Sequence, residues 1–304
     1  MKVVVFGCQQ IAVDFIKYLN SRSDVKLPLV ITYELPLDIT YGYDSVLRYC
    51  KKSKVKVTTP KLMRDSIIDT IKVINPDIIF SIYYRKILPK AILNIPRLGC
   101  INIHPSLLPE YRGPVPTAWA IRNGEEETGI TIHLMDECID TGDILVQKKF
   151  PILDNETGYE LFTRAMSIGA EQLIENFDKI IKKEIKPKKQ QGIGSYFGKK
   201  TSKYKIDWKN TQKDIINQIR VHSKPYNPAE TVMFNRYFII NKARPIIIDD
   251  YKAQKPGCIL DVVEQDNIIV SCADGCLLID DYEIVPKLNE TEKKVYLKPG
   301  NFFE

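Results

Sequence analysis

Histidine is scarce in this chain, with three in 304 residues, at positions 104, 133 and 222. So little imidazole leaves few nitrogen ligands for a transition metal, and the seven cysteines do not compensate. They stand at positions 8, 50, 100, 138, 258, 272 and 276, odd in number and without a C-x-x-C pair. A structural zinc site needs ligands paired at short spacing, so no metal is expected; Cys272 and Cys276 read as packing residues. A disulfide framework is not expected either. Most of the cysteines lie in apolar runs such as IPRLGCINI, where the thiol behaves as a small hydrophobe. A reducing, cytoplasmic setting is therefore expected. No apolar run approaches the roughly 18 residues that span a bilayer, and MKVVVFGCQQ meets polar residues too early for a secretory leader. No membrane partner is expected. The turn after the first apolar run, GCQQIA, lacks G-x-G-x-x-G spacing, which removes the main argument for a dinucleotide. No internal repeat is present.

What the chain does have is an ordinary globular balance, 44% hydrophobic and 27% charged residues. At 304 residues it exceeds the size at which single cores stop growing, so two domains are expected. Lys and Arg number 44 against 38 Asp and Glu, a net charge of +6. An excess this small suits an anionic small substrate and does not demand nucleic acid.

The first half alternates short apolar runs with amphipathic ones. VVVF (3–6), LPLVIT (27–32), VKVTTP (55–60), PDIIFSIYY (76–84), CINIH (100–104) and GITIHLM (129–135) read as strands. IAVDFIKYL, SVLRYCKK (45–52), MRDSIIDTIKVIN and the long segment 158–183 read as helices. Near-continuous apolarity in the strands predicts a Rossmann-like, mostly parallel sheet covered on both faces. From 185 to 205 the chain turns to Lys, Gly and Ser without a sustained period, a solvated connector. A short helix near 211–222 and several strand-like runs separated by turns such as ADG then predict a smaller OB-like β-barrel. The expected division is an α/β domain over 1–190, a linker over 191–210 and a β domain over 211–304.

Chemistry concentrates in INIHPSLLPEYRGPVPTAWAI (101–121). Asn102 and His104 are two apart on a strand, so their side chains share a face. An imidazole moves protons near neutrality, and an amide N–H can stabilise a forming oxyanion. The pair needs a carboxylate to orient the ring and favour its protonated form. LMDECIDTGDIL offers Asp136, Asp140 and Asp143, among which spacing does not choose. A hydrogen-bonded structural Asn–His pair would show the same spacing. His133 alternates within a strand as a packed or half-exposed residue rather than a catalytic one, and His222 has no carboxylate cluster beside it.

INIHPSLLPEYRG, followed by P-x-x-W-A-I-x-N-G-E-x-E-T-G-I-T-I-H and D-T-G-D-I-L, closely resembles the formyltransferases that use N10-formyltetrahydrofolate. The likeness is densest over roughly 75–150. It implies a formyltransferase catalytic domain and the donor N10-formyltetrahydrofolate, released as tetrahydrofolate, without a metal. It implies Asn102, His104 and Asp140 as the catalytic trio, which selects Asp140 from the three aspartates. It places the donor's pterin against the backbone of Lys86, Ile87 and Leu88, with Asp136, Glu137, Cys138, Ile139 and Asp140 lining the other side. It makes Ser106, Tyr111, Arg112 and Gly113 a stiff wall that holds the acceptor.

Several acceptors are known in that family. A C-terminal extension of this length argues against glycinamide ribonucleotide. A tRNA acceptor stem must be met by cations, and the tRNA enzymes are expected to carry a basic loop near the second strand. The equivalent LPLVITYELPLDITYGYDSVL (27–47) has no Lys or Arg and three carboxylates. PDIIFSIYYRKIL and YFGKKTSKYKIDW resemble the formyltransferase domain that acts on UDP-4-amino-4-deoxy-L-arabinose. PYNPAE (225–230) departs from the Pro-aromatic-Pro-Gly turn of relatives, which touches the entry to the β domain and not the chemistry. The expected acceptor is a nucleotide-linked amino-deoxysugar, 4-amino before 3-amino, with no nucleic-acid partner. Methionyl-tRNA is the alternative acceptor, and an inactive folate- or sugar-nucleotide-binding relative the minor one. A homodimer is compatible with a sequence that carries no signal setting the oligomeric state.

Overall fold

A computed structural model describes residues 1–33, 44–61, 65–198, 204–248 and 254–304. The chain divides into two compact units, one of residues 1–116, 127–151 and 162–198, the other of 117–126, 152–161 and 199–304.

The first unit opens with strand β1 (Lys2–Gly7), whose Val3, Val4, Val5 and Phe6 are fully buried. Each such side chain contributes about 1.5–3 kcal/mol on leaving water. Helix α1 (Gln9–Ser21) follows, burying Ile11, Phe15, Ile16 and Leu19 at helical spacing. Next come β2 (Lys26–Ile31), α2 (Val46–Lys52), β3 (Val57–Thr58), α3 (Asp65–Ile74) and β4 (Ile78–Ile82). The Ser45 side chain accepts the Arg48 N–H and fixes the start of α2. A single helical turn, α4 (Lys90–Leu93), precedes β5 (Cys100–His104). Helix α5 (Pro116–Arg122) belongs to the second unit from Thr117 on; β6 (Glu127–Leu134) and β7 (Ile144–Pro151) complete the first unit's sheet, and α6 (Gly158–Ile181) belongs to the first unit from Phe162 on.

The seven strands run in the order β3-β2-β1-β4-β5-β6-β7. The first five pair in parallel, while β6 is antiparallel to β5 and β7 is antiparallel to β6. The mostly parallel sheet expected from the apolar runs is present. Strand β7 carries no such run, because Phe150 alone among its residues is buried, and α4 and α5 are equally absent from the sequence reading.

In the second unit α7 (Gln212–Val221) is capped by Thr211, whose side chain accepts the Asp214 N–H. Strands β8 (Ala229–Met233), β9 (Arg236–Ile246), β10 (Ile259–Val263), β11 (Asn267–Ser271) and β12 (Cys276–Val285) form an antiparallel sheet in the order β10-β11-β12-β9-β8. The sheet is barrel-like but does not close, since no ladder joins β10 to β8 among the described residues. Its core gathers Trp208, Ile215, Ile219, Phe238, Ile240, Ile268, Leu277 and Phe303. The C-terminal Phe303 thus stacks on Trp208 rather than standing free. Helix α8 (Glu290–Tyr296) ends the sequence of elements.

All seven cysteines are free thiols. Among the described residues no helix is long and apolar enough to cross a membrane.

Candidate active site

Strands β5 and β6 set the geometry. Their antiparallel register places Asn102 opposite His133 and His104 opposite Thr131. Residues directly opposite one another in such a pair share a face, so all four side chains rise from the same side of the sheet. The other side is apolar. There a Cβ added at Gly169 of α6 would come within 2.9 Å of Ile103, so the helix packs closely against β5 and leaves the polar side for the site.

Asp140 reaches this face from the loop after β6. Its Oδ2 lies 3.5 Å from His104 Nδ1 and its Oδ1 3.7 Å from His133 Nε2. Gly113 N–H donates to Oδ2 at 2.9 Å, and Asn102 Nδ2 approaches Oδ1 at 3.4 Å. Asn102, His104 and Asp140 therefore come together, while the other two aspartates do not join them. Asp136 accepts from Cys138 N–H and the Thr141 hydroxyl, which closes its own loop. Asp143 gives its backbone carbonyl to Leu134 N–H. Gly142 must be glycine here, since a Cβ would stand 1.8 Å from the Leu134 carbonyl oxygen.

His104 is 5% exposed, and its Nε2 donates to the Tyr111 carbonyl at 2.8 Å. Burial pushes the imidazole below its ordinary pKa, against the Asp140 charge and the Tyr111 carbonyl, which both pull it up. The carboxylate favours the protonated form, as expected, but desolvation outweighs it, and the resting ring is neutral. Burial alone would raise the Asp140 carboxyl. His104, His133 and the Gly113 N–H overcome it and bring the carboxyl down to about 2.

His133 is the residue that sequence reasoning missed. It is buried, the packed one of the two expected placements, yet it is not merely packed. Its Nδ1 meets the Leu134 carbonyl at 2.8 Å and so carries the proton, which leaves Nε2 to accept from Asn102 Nδ2 at 3.1 Å. With two acceptors beside it, His133 Nε2 and Asp140 Oδ1, the Asn102 amide has one sensible orientation. The readable signal was the antiparallel pairing of INIH with TIHL.

The wall residues hold the site together. Ser106 is buried and donates to the Glu110 carbonyl at 2.6 Å. Thr131 donates to the Ser106 carbonyl at 2.7 Å and accepts from Leu108 N–H. Tyr111 (φ 59°) stacks on Phe197 at 5.0 Å between ring centres. Gly113 has φ +93°, and a Cβ there would meet the Phe197 carbonyl oxygen at 2.6 Å. Arg112 points its guanidinium at Gln190 Oε1, with Nη2 at 2.6 Å and Nε at 3.1 Å. The stretch from 188 to 197, expected to be a free connector, is thus bonded into the site. Lys188 also pairs with Ile144 through both backbone groups. Residues 199–203 of the connector expected over 185–205 lie outside the described residues.

Around the expected donor pocket, Leu88 is buried and Ile87 is 73% exposed. The Lys86 ammonium is committed to the carbonyls of Pro60 and Lys61, which leaves its backbone available. On the other loop Cys138 is exposed, Glu137 pairs with Lys90, and Ile139 is 44% exposed. His222 is buried in the second unit against Tyr204. No group of three or more metal-ligating side chains occurs among the described residues. Within 27–47, residues 34–43 lie outside the described residues; Asp44 is ion-paired with Lys17 at 3.5 Å.

Comparison with known proteins fits this geometry. The sequence model of the family described as "Formyl transferase" matches residues 1–177, and that of "Formyl transferase, C-terminal domain" residues 199–290. The methionyl-tRNA formyltransferase of Clostridioides difficile (strain 630) is 34% identical over 293 residues, covering 94% of this chain and 93% of that protein. The bifunctional polymyxin resistance protein ArnA of Wigglesworthia glossinidia brevipalpis is 35% identical over 92% of this chain, which spans 42% of that larger protein. Among solved structures, the N-formyltransferase of Helicobacter canadensis in complex with folinic acid and dTDP-3-aminofucose superposes with a TM-score of 0.72 at 25% identity. It covers 93% of this chain and 100% of its own.

Proposed function

The chain belongs to the formyl transferase family, and we propose that it carries the formyl group of N10-formyltetrahydrofolate to the amine of a nucleotide-linked amino-deoxysugar. A 4-amino sugar is favoured over a 3-amino one. The observation that carries the choice of acceptor is the charge of residues 27–47, with three carboxylates and no Lys or Arg. A diphosphate-linked sugar needs one or two cations, whereas a tRNA stem needs many. The Helicobacter canadensis enzyme, in complex with dTDP-3-aminofucose, supports a nucleotide-linked amino sugar as acceptor and by itself points to the 3-amino alternative.

The folate supplies an electrophilic formyl carbon and an amine leaving group. Exposed Ile87 and Ile139 offer an apolar side chain on each of the two loops expected to flank it, which suits a flat heteroaromatic ring. The backbone of Lys86 to Leu88 and the loop from Asp136 to Asp140 would hold it. Asn102 turns one N–H to the formyl oxygen as negative charge develops there. Its longer contact, 3.4 Å to Asp140, is the one released, while His133 keeps the amide in place. His104 takes the amine proton at Nδ1, because Nε2 already donates to Tyr111. The imidazolium so formed lies between the Tyr111 carbonyl and the Asp140 carboxylate, both in position beforehand. His104 then gives the proton up towards the departing amine.

Methionyl-tRNA is the second reading, favoured by the Clostridioides difficile relative along nearly its whole length. The two are separated by mass spectrometry of formyl transfer to UDP-4-amino-4-deoxy-L-arabinose and to dTDP-linked 4-amino and 3-amino sugars, beside initiator methionyl-tRNA. Formylated sugar without formylated tRNA is the expected result. Efficient tRNA formylation with no sugar product would replace the first reading by the second.

A further inference from the structure

Gln190 lies in the basic stretch that reads as a connector, yet its side chain uses every polar atom it has. Its Oε1 accepts from Arg112 Nε and Nη2, and its Nε2 donates to the Asp140 carbonyl at 2.8 Å and the Gly142 carbonyl at 2.9 Å. We propose that Gln190 is a positioning residue of the transfer reaction, holding the Asp140 loop on one side and Arg112 on the other so that the Asp140 carboxylate stays against His104.

Asp140 has φ +56°, a left-handed conformation that a non-glycine residue keeps only when its surroundings impose it. The Gln190 amide does so directly, by hydrogen-bonding that residue's own carbonyl. The side chain beyond it is thereby aimed at His104 Nδ1, His133 Nε2 and Gly113 N–H, which with Asn102 are the groups that face the carboxylate among the described residues. Ser195, five residues on, secures the opposite loop. Its hydroxyl accepts from Tyr111 N–H at 2.8 Å and donates to Glu110 at 2.7 Å. Its carbonyl accepts from Arg112 N–H at 2.9 Å. Tyr111 is the residue whose carbonyl accepts the His104 Nε2–H hydrogen bond, so one short segment sets both partners of the imidazole. Arg112, on the loop expected to hold the acceptor, is fixed by the same Gln190.

The inference rests on Asp140 and His104 acting as a pair in the proposed mechanism, and its test does not depend on which acceptor is used. The full chain carries ¹³C at aspartate Cγ, the Asp140 resonance is assigned with Asp140→Asn, and it is followed from about pH 6.5 to about pH 4. The wild-type resonance keeps its carboxylate position apart from the small step that His104 protonation imposes, because the carboxyl is ionised throughout. Gln190→Ala frees the loop, and burial is no longer offset, so a full carboxyl titration step enters the window. Gln190→Glu keeps the acceptor for Arg112 and the size of the side chain but loses both donors, and it gives the same step. Thermal melts establish that the variants are folded. The kcat of either variant falls about tenfold or more, with the donor KM within about twofold, on whichever acceptor the wild type formylates. A wild-type-like Asp140 resonance in the folded Gln190→Glu protein would overturn the inference. Failure of every sugar acceptor would overturn the proposed substrate and leave the carboxyl titration as it is.

Discussion

The Asp140 carboxylate faces the His104 imidazole across 3.5 Å, from Oδ2 to Nδ1. That is too long for a good hydrogen bond and close enough for a strong charge interaction in a buried setting. The pair is poised: the imidazole rests neutral because burial dominates, and the carboxylate is ready for the charge that a proton would bring.

A pH profile tests this balance. The proposed mechanism requires neutral His104, so kcat/KM should rise as pH passes upward through the histidine's pKa. Burial places that pKa below the ordinary value of about 6.5, so the acid limb lies on the acidic side of it. Asp140→Asn removes the charge that pulls the pKa up, so the limb moves to still lower pH while the plateau falls. A limb that moves to higher pH in Asp140→Asn would contradict the assignment.

The three aspartates of the loop should separate cleanly. Asp140→Asn is expected to lose at least about 100-fold in kcat, on the scale of losing a general-base partner. Asp136→Asn disturbs a loop hydrogen bond, and Asp143 takes part through its backbone, so both changes should cost far less. Equal losses in steady-state kinetics across the three would leave Asp140 without a special role.

Replacing His104 or Asn102 by Ala is expected to lower kcat by at least about 100-fold while the fold persists, since each loses a reacting group from a strand that stays packed. Circular dichroism and turnover on a verified acceptor check both halves of that statement. Near wild-type turnover in either variant would remove the mechanism.

His133→Phe isolates the residue that orients the amide. The ring volume is retained and the acceptor for Asn102 is lost, so kcat should fall about tenfold with little change in donor KM. A rise in KM at constant kcat would instead mean that His133 serves binding.

The strands were legible where their side chains are buried on both faces, as in VVVF and IIFSI, because a continuous apolar run rich in β-branched residues has few other meanings. β7 was not, since a sheet edge keeps its polar residues and buries only Phe150. Helix α8 was also missed although it carries a readable sign. Asn289 and Glu292 form a capping box, the N-x-x-E pattern in KLNETEKK. In the site, Asn102 and His104 were legible as a same-face pair, while Asp140 came from family resemblance and not from spacing. Gln190 and Ser195 were hidden by a composition rich in Lys and Gly, which says how solvated a segment is but nothing about which loops it crosses. His133 was misjudged for a related reason: alternation shows which face a residue takes, and only the pairing register shows what it meets there.

Salt dependence gives the last test of the acceptor, because it counts phosphate contacts without a structure of the complex. A protein that neutralises several phosphates of a nucleic acid loses affinity steeply with salt, about 10³-fold or more between 50 and 200 mM for six to ten contacts. A nucleotide sugar has a single diphosphate and no condensed ion atmosphere to release, so its kcat/KM should fall less than about tenfold over the same range. The sequence makes the expectation specific. Residues 27–47 bring no cation to a nucleic-acid backbone, and the Lys-rich stretch near 185–205 is the main alternative surface. Within that stretch the backbone of Lys188 is paired with Ile144, and Gln190 and Ser195 hold the two catalytic loops. Changing Lys186 and Lys189 to Ala should therefore leave sugar formylation nearly unchanged, and the salt slope with it. If sugar turnover proves insensitive to salt while tRNA formylation is efficient, steeply salt-dependent and lost in the double variant, the basic stretch is a tRNA surface and the nucleotide-sugar assignment falls.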